Sequence, residues 1–206
     1  MTTLLTIHSS LFGDAGQSSR LVDQFADLWQ RREPHAVLIR RNFAREPVPH
    51  LTAERFQAFL KAPAQRSEHE SAIVAYSDRL IDELRQADVI ALGLPMYNFG
   101  VPSTVRAYFD HIARAGVTFR YTDQGPEGLL KGKKLFVFST RGGKHAGTPS
   151  DTETDYVKQF FHFLGIDDLT FVYAEGLASG DPQKLEALGE AAIRIESLIE
   201  PQPLAA

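Results

Sequence analysis

Apolar residues along this chain fall into two rhythms that take turns. Residues 4–8 (LLTIH), 35–40 (HAVLIR), 89–94 (VIALGL), 134–139 (KLFVFS) and 169–174 (LTFVYA) are short, β-rich and nearly continuous, the pattern of strands buried on both faces of a parallel sheet. Between them apolar positions recur every three to four residues, the helical period. Leu21, Val22, Phe25, Leu28 and Trp29 mark a helix over 17–32. Ile73, Tyr76, Leu80, Ile81 and Leu84 mark another after residue 67, and 53–60 reads as a shorter one. Val101, Val105, Phe109 and Ile112 form one helical face, and Pro102 suits its first turn. Leu185, Leu188, Ala192, Ile195 and Ile199 follow Asp181-Pro182, an N-cap and first-turn pair. Ser67/Glu70 and Ser150/Glu153 have capping-box spacing, the second opening a helix through residue 164. Asp151, Glu153 and Asp155 then read as its acidic first turn. The tail 201–206, PQPLAA, reads as frayed.

Strands and helices alternate five times, which predicts an α/β fold over 1–206 with a parallel sheet and helices on both faces. Three strands, the first, third and fourth, are followed by unusual connections. In the strand order 2-1-3-4-5 those three are adjacent, and the ligand crevice lies between one and three at the carboxyl edge. The three loops are therefore expected to meet.

Each loop offers different chemistry. The first, residues 9–19 (SSLFGDAGQSS), joins the hydroxyls of Ser10, Ser18 and Ser19 to Gly16 and Gln17 at a helix start. A helix N-terminus suits a phosphate, but the spacing is neither G-x-G-x-x-G nor the P-loop pattern. A single phosphomonoester fits, with Asp14 pointing away; an ordinary capped helix is the plain alternative. The second loop, Met96-Tyr97-Asn98-Phe99, places two aromatics, a thioether and an amide where loops usually carry small polar residues. It reads as a cradle for a flat, polarisable ring, against core packing by Met96 and Phe99 with a turn at Asn98-Gly100. The third, Thr140-Arg141-Gly142-Gly143, offers glycines for close backbone approach, or a flexible turn. His145 lies in this loop, either orienting a substrate or facing solvent. Phosphate donors, a ring cradle and backbone N–H groups together describe FMN.

Composition narrows the classes. The formal net charge of −4 gives no electrostatic case for nucleic acid or a membrane surface. The absence of cysteine removes disulfides and thiolate chemistry and is compatible with a cytoplasmic setting. No apolar run approaches the ~18 residues of a membrane span, and the seven histidines show no metal-ligand pair on a helix. Phe160, Phe161 and Phe163 read mainly as core.

The block PMYNFGVPSTVRAYFDHIARAGVTFRYTDQGPEGLLKGKK, with TRGG and FVYAEG after it, closely resembles the bacterial FMN-dependent NADH-azoreductases, a flavodoxin-like family that also reduces quinones. The resemblance spans nearly the whole chain. It implies a flavodoxin-like homodimer with one FMN per subunit near the interface. Phosphate contacts would fall on Ser10, Gly16, Gln17 and Ser18, and ring contacts on Met96, Tyr97, Asn98, Phe99, Thr140, Arg141, Gly142 and Gly143. The family often has Ser where this chain has Gly16 and Thr140. Phe119, Tyr121 and His145 are candidates for the acceptor pocket, Phe119 and Tyr121 joining Phe99 partly across the subunit boundary. The expected reaction is ping-pong: NADH or NADPH reduces the flavin, then a quinone or azo compound takes the electrons, with azo bonds cleaved to amines. Arg141 and Lys144 are candidate contacts to a nicotinamide-nucleotide phosphate. A flavodoxin-like electron carrier is the alternative, disfavoured by the modest charge and the aromatic loops. A receiver-type signalling domain needs acidic residues after strand one, where this chain has Ser9 and Ser10.

Overall fold

The structure, a computed structural model, describes residues 1–199; the tail expected to fray, 201–206, lies outside them. The elements run Thr3–His8 (β1), Gln17–Arg32 (α1), Val37–Asn42 (β2), Ala53–Leu60 (α2), Glu68–Gln86 (α3), Val89–Pro95 (β3), Ser103–Ile112 (α4), Phe119–Thr122 (β4), Gly125–Gly128 (β5), Lys134–Thr140 (β6), Thr154–Leu164 (α5), Asp168–Ala174 (β7) and Asp181–Ile199 (α6). The main sheet is parallel, in the order β2-β1-β3-β6-β7. Counting its own strands alone, that is 2-1-3-4-5.

β3 is central and buried at every position, hence its unbroken apolar run. Its side chains alternate between two cores. Ile90, Leu92 and Leu94 join Leu80, Val105, Phe109 and Phe161 beneath α3, α4 and α5. Val89 and Ala91 join Leu21, Phe25, Phe138 and Ile195 beneath α1 and α6. At Gly93 an added Cβ would stand 3.0 Å from the Ser18 carbonyl oxygen, so the missing side chain lets the first turn of α1 settle on the sheet.

Register fixes where the special loops begin. His8 pairs with Gly93, and Pro95 pairs with Thr140. Residues 9–10, 96 and 141 therefore leave the sheet along one rim.

Several local readings change. The second strand starts two residues later than its apolar run, because residues 33–36 close a turn in which the Ala36 N–H meets the Glu33 carbonyl. Pro102 is the N-cap of α4 rather than a first-turn residue. The Gly180 carbonyl accepts from the Lys184 N–H, so Asp181 is already helical, and Leu185 is exposed. The Ser67–Glu70 capping box forms. The Ser150–Glu153 pair does not: no side chain caps through Glu153, and the Thr154 N–H bonds to Asp151 Oδ1 at 3.1 Å. Glu153 is instead wholly buried.

The segment 118–133, whose Gly-Pro pair and two aromatics interrupt the alternation of strands and helices, holds the antiparallel hairpin β4–β5. It is seated on the end of α5, where Leu130 N–H bonds to the Leu164 carbonyl at 2.8 Å. Gly128 and Gly165 touch backbone to backbone there; a Cβ on Gly128 would collide with Gly165. Gly165 has φ 94°, a left-handed helix end suited to glycine.

Candidate active site at the carboxyl rim of the sheet

The start of α1 is rich in donors without partners. Gly16 is its N-cap, and no side chain caps the helix. Among the described residues the N–H groups of Gln17, Ser18 and Ser19 meet no backbone acceptor. The hydroxyls of Ser18 and Ser19 are buried with no hydrogen-bond partner, although buried polar groups are normally satisfied. Ser10 Oγ lies against Gly16, where any Cβ would collide with it. Asp14 turns away as expected, held by Asn42 Nδ2 at 2.9 Å and by Arg45. This end of the site fits a phosphate in chemistry: neutral donors, the positive end of a helix and no opposing carboxylate.

His8, in the last position of β1, is buried, and neither ring nitrogen has a hydrogen-bond partner, Asp23 standing 3.7 Å from Nε2. Burial, then the Arg40 charge, pushes its pKa down to about 4. It is a neutral core group at the root of the first loop.

The second loop is a tight turn. Tyr97 and Gly100 exchange two backbone hydrogen bonds, each 3.1 Å. Between them Asn98 and Phe99 sit at φ 50° and φ 61°. Two consecutive left-handed residues define a hairpin turn that asparagine tolerates and phenylalanine resists. Such strain persists where the surroundings impose it, and the contacts are visible. Tyr97 OH accepts from the Leu11 N–H at 3.3 Å and stands 3.4 Å from Ser10 Oγ. Met96 N–H bonds to the Thr140 carbonyl at 2.9 Å. The Phe99 carbonyl accepts from Thr152 Oγ1, and its ring meets His145 edge-on at 5.6 Å. The three loops do converge, with the second tied to both others.

The third loop is held from beneath. Its carbonyls at Arg141, Gly142 and Gly143 accept from Leu177, Ala178 and Gly176, while the N–H groups of Gly142 and Gly143 meet no backbone acceptor among the described residues. His145 Nδ1 stands 2.8 Å from Ser150 Oγ, and its Nε2 lies over the backbone of Gly143. The ring thus packs between loops rather than facing open solvent.

Arg141 departs from expectation. Its guanidinium is not presented to a ligand or to a nicotinamide-nucleotide phosphate; it is fully buried. It donates to Ser139 Oγ at 3.0 Å, Asp151 at 2.9 Å, Thr154 Oγ1 at 3.1 Å and Glu175 at 3.2 Å. Glu153 lies 3.5 Å away and the Tyr173 ring face 5.0 Å. Glu175 also accepts from the N–H groups of His145 and Ala146. Burial acts to raise the Asp151 pKa, but the bonds from Arg141 and Thr154 outweigh it and hold it at about 2. Burial, only partly offset by Arg141, pushes Glu153 up to about 7. Asp151 and Glu153, read as a solvated first turn, are thus half of a buried ionic cage. Glu175, Asp151 and Thr152 are the site-building residues that sequence reasoning missed. Glu175 stands in the FVYAEG segment, but nothing local reveals that it bonds back across the rim.

Phe119 and Tyr121 do not join Phe99 within one chain. Phe119 is buried and Tyr121 exposed, and both line a separate cavity with Phe56, Phe59 and Leu60. They lie beyond the far end of α4, a helix about 15 Å long. Leu11, Phe12 and Phe99 are exposed at the rim, an apolar margin with nothing over it in a single chain. Among the described residues no helix is long and apolar enough to cross a membrane, and no group of three or more His, Cys, Asp or Glu is placed to hold a metal ion.

Comparison with known proteins places this geometry. A family described by its flavodoxin-like fold matches residues 2–199. The FMN-dependent NADH:quinone oxidoreductase of Cellvibrio japonicus is 50% identical over 199 residues, covering 97% of this chain and 99% of the relative. That of Burkholderia pseudomallei is 53% identical over 191 residues, covering 93% and 96%. Among solved structures, an FMN-dependent NADH-azoreductase from Bacillus anthracis in complex with FMN superposes with a TM-score of 0.88 at 26% identity, over 97% of this chain and 98% of that one.

Proposed function

The chain belongs to the flavodoxin-like fold family that matches it from residue 2 to residue 199, and from that premise we propose that it is an FMN-dependent oxidoreductase passing electrons from NADH to quinones and aromatic azo compounds. The observation that carries the reading is the meeting of the three loops, with partnerless donors left at each end. The relatives' names supply the cofactor and donor.

The N–H groups of Gln17 and Ser18, the hydroxyls of Ser10 and Ser18, and the close approach allowed by Gly16 hold the phosphate of FMN. Met96, Tyr97, Asn98 and Phe99 cradle its ring, and Thr140 fixes Met96 from the neighbouring strand. FMN, when bound, would supply two-electron redox chemistry between the nicotinamide donor and the acceptor. The chain contributes placement, keeping reacting atoms about 3–3.5 Å apart. The free N–H groups of Gly142 and Gly143 would meet negative charge developing on a ring bound there, in the manner of an oxyanion hole. Arg141 acts through the loop it anchors. Protons come from water; no side chain is assigned as the catalytic acid.

A second copy of the chain closes the site. It covers the exposed margin of Leu11, Phe12 and Phe99, and its Phe119 and Tyr121 wall the acceptor slot beside His145. The enzyme is a cytoplasmic homodimer in this reading.

The test is an absorption spectrum of the purified protein with steady-state rates for NADH and NADPH against a quinone and an azo dye. A flavin spectrum and parallel-line kinetics are expected. A colourless protein that takes up no added FMN would end the reading.

A further inference from the structure

Beside the ring cradle, along Phe99, is a cleft of about 420 Å³. Phe99, Val101, Thr152 and Tyr156 form its apolar walls, with His50 and Arg106 at its edge. The Arg106 guanidinium carbon lies over the Tyr156 ring, 5.3 Å from its centroid. Among the described residues its carboxylate partner is Asp110, one turn on, an exposed ion pair 3.6 Å from Nε and looser than a hydrogen bond. Arg106 also reaches the Tyr156 hydroxyl, and 60% of its side chain is exposed. Other arginines near the rim are committed: Arg41 to Glu46 and Glu83, Arg45 to Asp14, and Arg141 to its cage. A cation held beside an aromatic ring, with more N–H donors than Tyr156 and Asp110 can use, is placed for a bidentate oxyanion.

Building on the proposed oxidoreductase reading, we infer that this cleft selects aromatic acceptors bearing a carboxylate or sulfonate, with Arg106 as the specificity-determining residue. An aromatic acceptor seated at the cradle can extend past Phe99 and carry its anionic substituent to the guanidinium. The apolar walls cover the ring, and the contact with Tyr156 holds the fork in place. A neutral quinone fills the same cradle without using Arg106. Because the cation is largely exposed, the preference is expected to weaken as salt rises.

The experiment compares a naphthoquinone with its monosulfonate in the flavin-loaded enzyme, for the wild type, Arg106→Ala and Arg106→Lys. The ratio of kcat/KM for the sulfonate over the neutral quinone should fall about tenfold in Arg106→Ala, through KM, with Arg106→Lys between. In parallel, binding of naphthalene-2-sulfonate, which cannot be reduced, is followed by its fluorescence and should weaken by a similar factor. An unchanged ratio with unchanged naphthalene-2-sulfonate binding overturns the inference, as does an equal loss for both quinones. If the wild type reduces neither quinone, the oxidoreductase reading falls, and the sulfonate binding decides the cleft by itself.

Discussion

The two ends of the rim are built on opposite principles. At the start of α1 the polar groups are neutral and lack partners: free N–H groups, two buried hydroxyls without acceptors, a glycine in place of a cap. Under the third loop the polar groups are ionic and largely used up: one guanidinium shared among Asp151, Glu153, Glu175, Ser139 and Thr154. Buried polarity left open marks where a ligand belongs. Buried polarity closed on itself marks scaffolding, even on a residue next to the ligand.

The sharpest way to break this contrast is to empty the cage. Arg141→Met strands three carboxylates in a buried site, and removing one partner of such a cluster costs about 3–5 kcal/mol. The thermal midpoint should drop by roughly 10 °C in differential scanning calorimetry, and FMN retention should fall with it. If Arg141 served only the ligand, the flavin-free protein would melt normally.

A second test uses pH. Glu153 has a folded pKa of about 7 against an ordinary value of 4.5, so between these the folded state holds the proton more tightly. Its neutral form therefore favours folding below about pH 5, and that contribution is lost as pH rises through 7. Asp151, held at about 2, has the opposite sign: its contribution is present above 3.8 and lost as pH falls through 2. Urea titrations of the wild type should show a decline from pH 5 to pH 8 that Glu153→Gln flattens. An equal decline in the variant would remove Glu153 from the account.

At the other end, Gly16→Ser should weaken FMN binding about tenfold, because its Cβ meets Ser10 and the first turn must move. Ser10→Gly in the same chain should recover part of the loss, which a fluorescence titration with FMN can resolve. Equal affinities in all three proteins would mean that this contact does not matter. Smaller still, Thr152→Val removes one hydrogen bond to the Phe99 carbonyl and should cost about 1 kcal/mol or less. Its effect is expected in FMN dissociation rate more than in thermal stability.

The same contrast explains what the sequence revealed. Periodicity located the five main strands and the helices, since apolar side chains dominate their burial. The converging loops followed from topology, and Gly16, the serines and Asn98 stood out as candidates because turns and phosphate sites favour those residue types. Arg141 was misread because a basic residue in a Gly-rich loop looks the same whether it faces a ligand or an internal cage. The difference lies in Asp151, Glu153 and Glu175, which come from two other connections. Phe119 and Tyr121 were grouped with Phe99 by their aromatic character, whereas α4 separates them within one chain. The hairpin escaped notice because GPEG carries no β-branched residue, and its partner is a helix end distant in sequence.

That helix end has its own consequence. Phe119 and Tyr121 ride on an arm whose attachment is a bare contact between Gly128 and Gly165. A methyl group at residue 128 would pry the arm from its helix and re-aim both aromatics together. In the proposed dimer the reach of one subunit toward the other would be governed from a point where no side chain exists, and variation at these two glycines would re-aim the hairpin while leaving the three rim loops as they are.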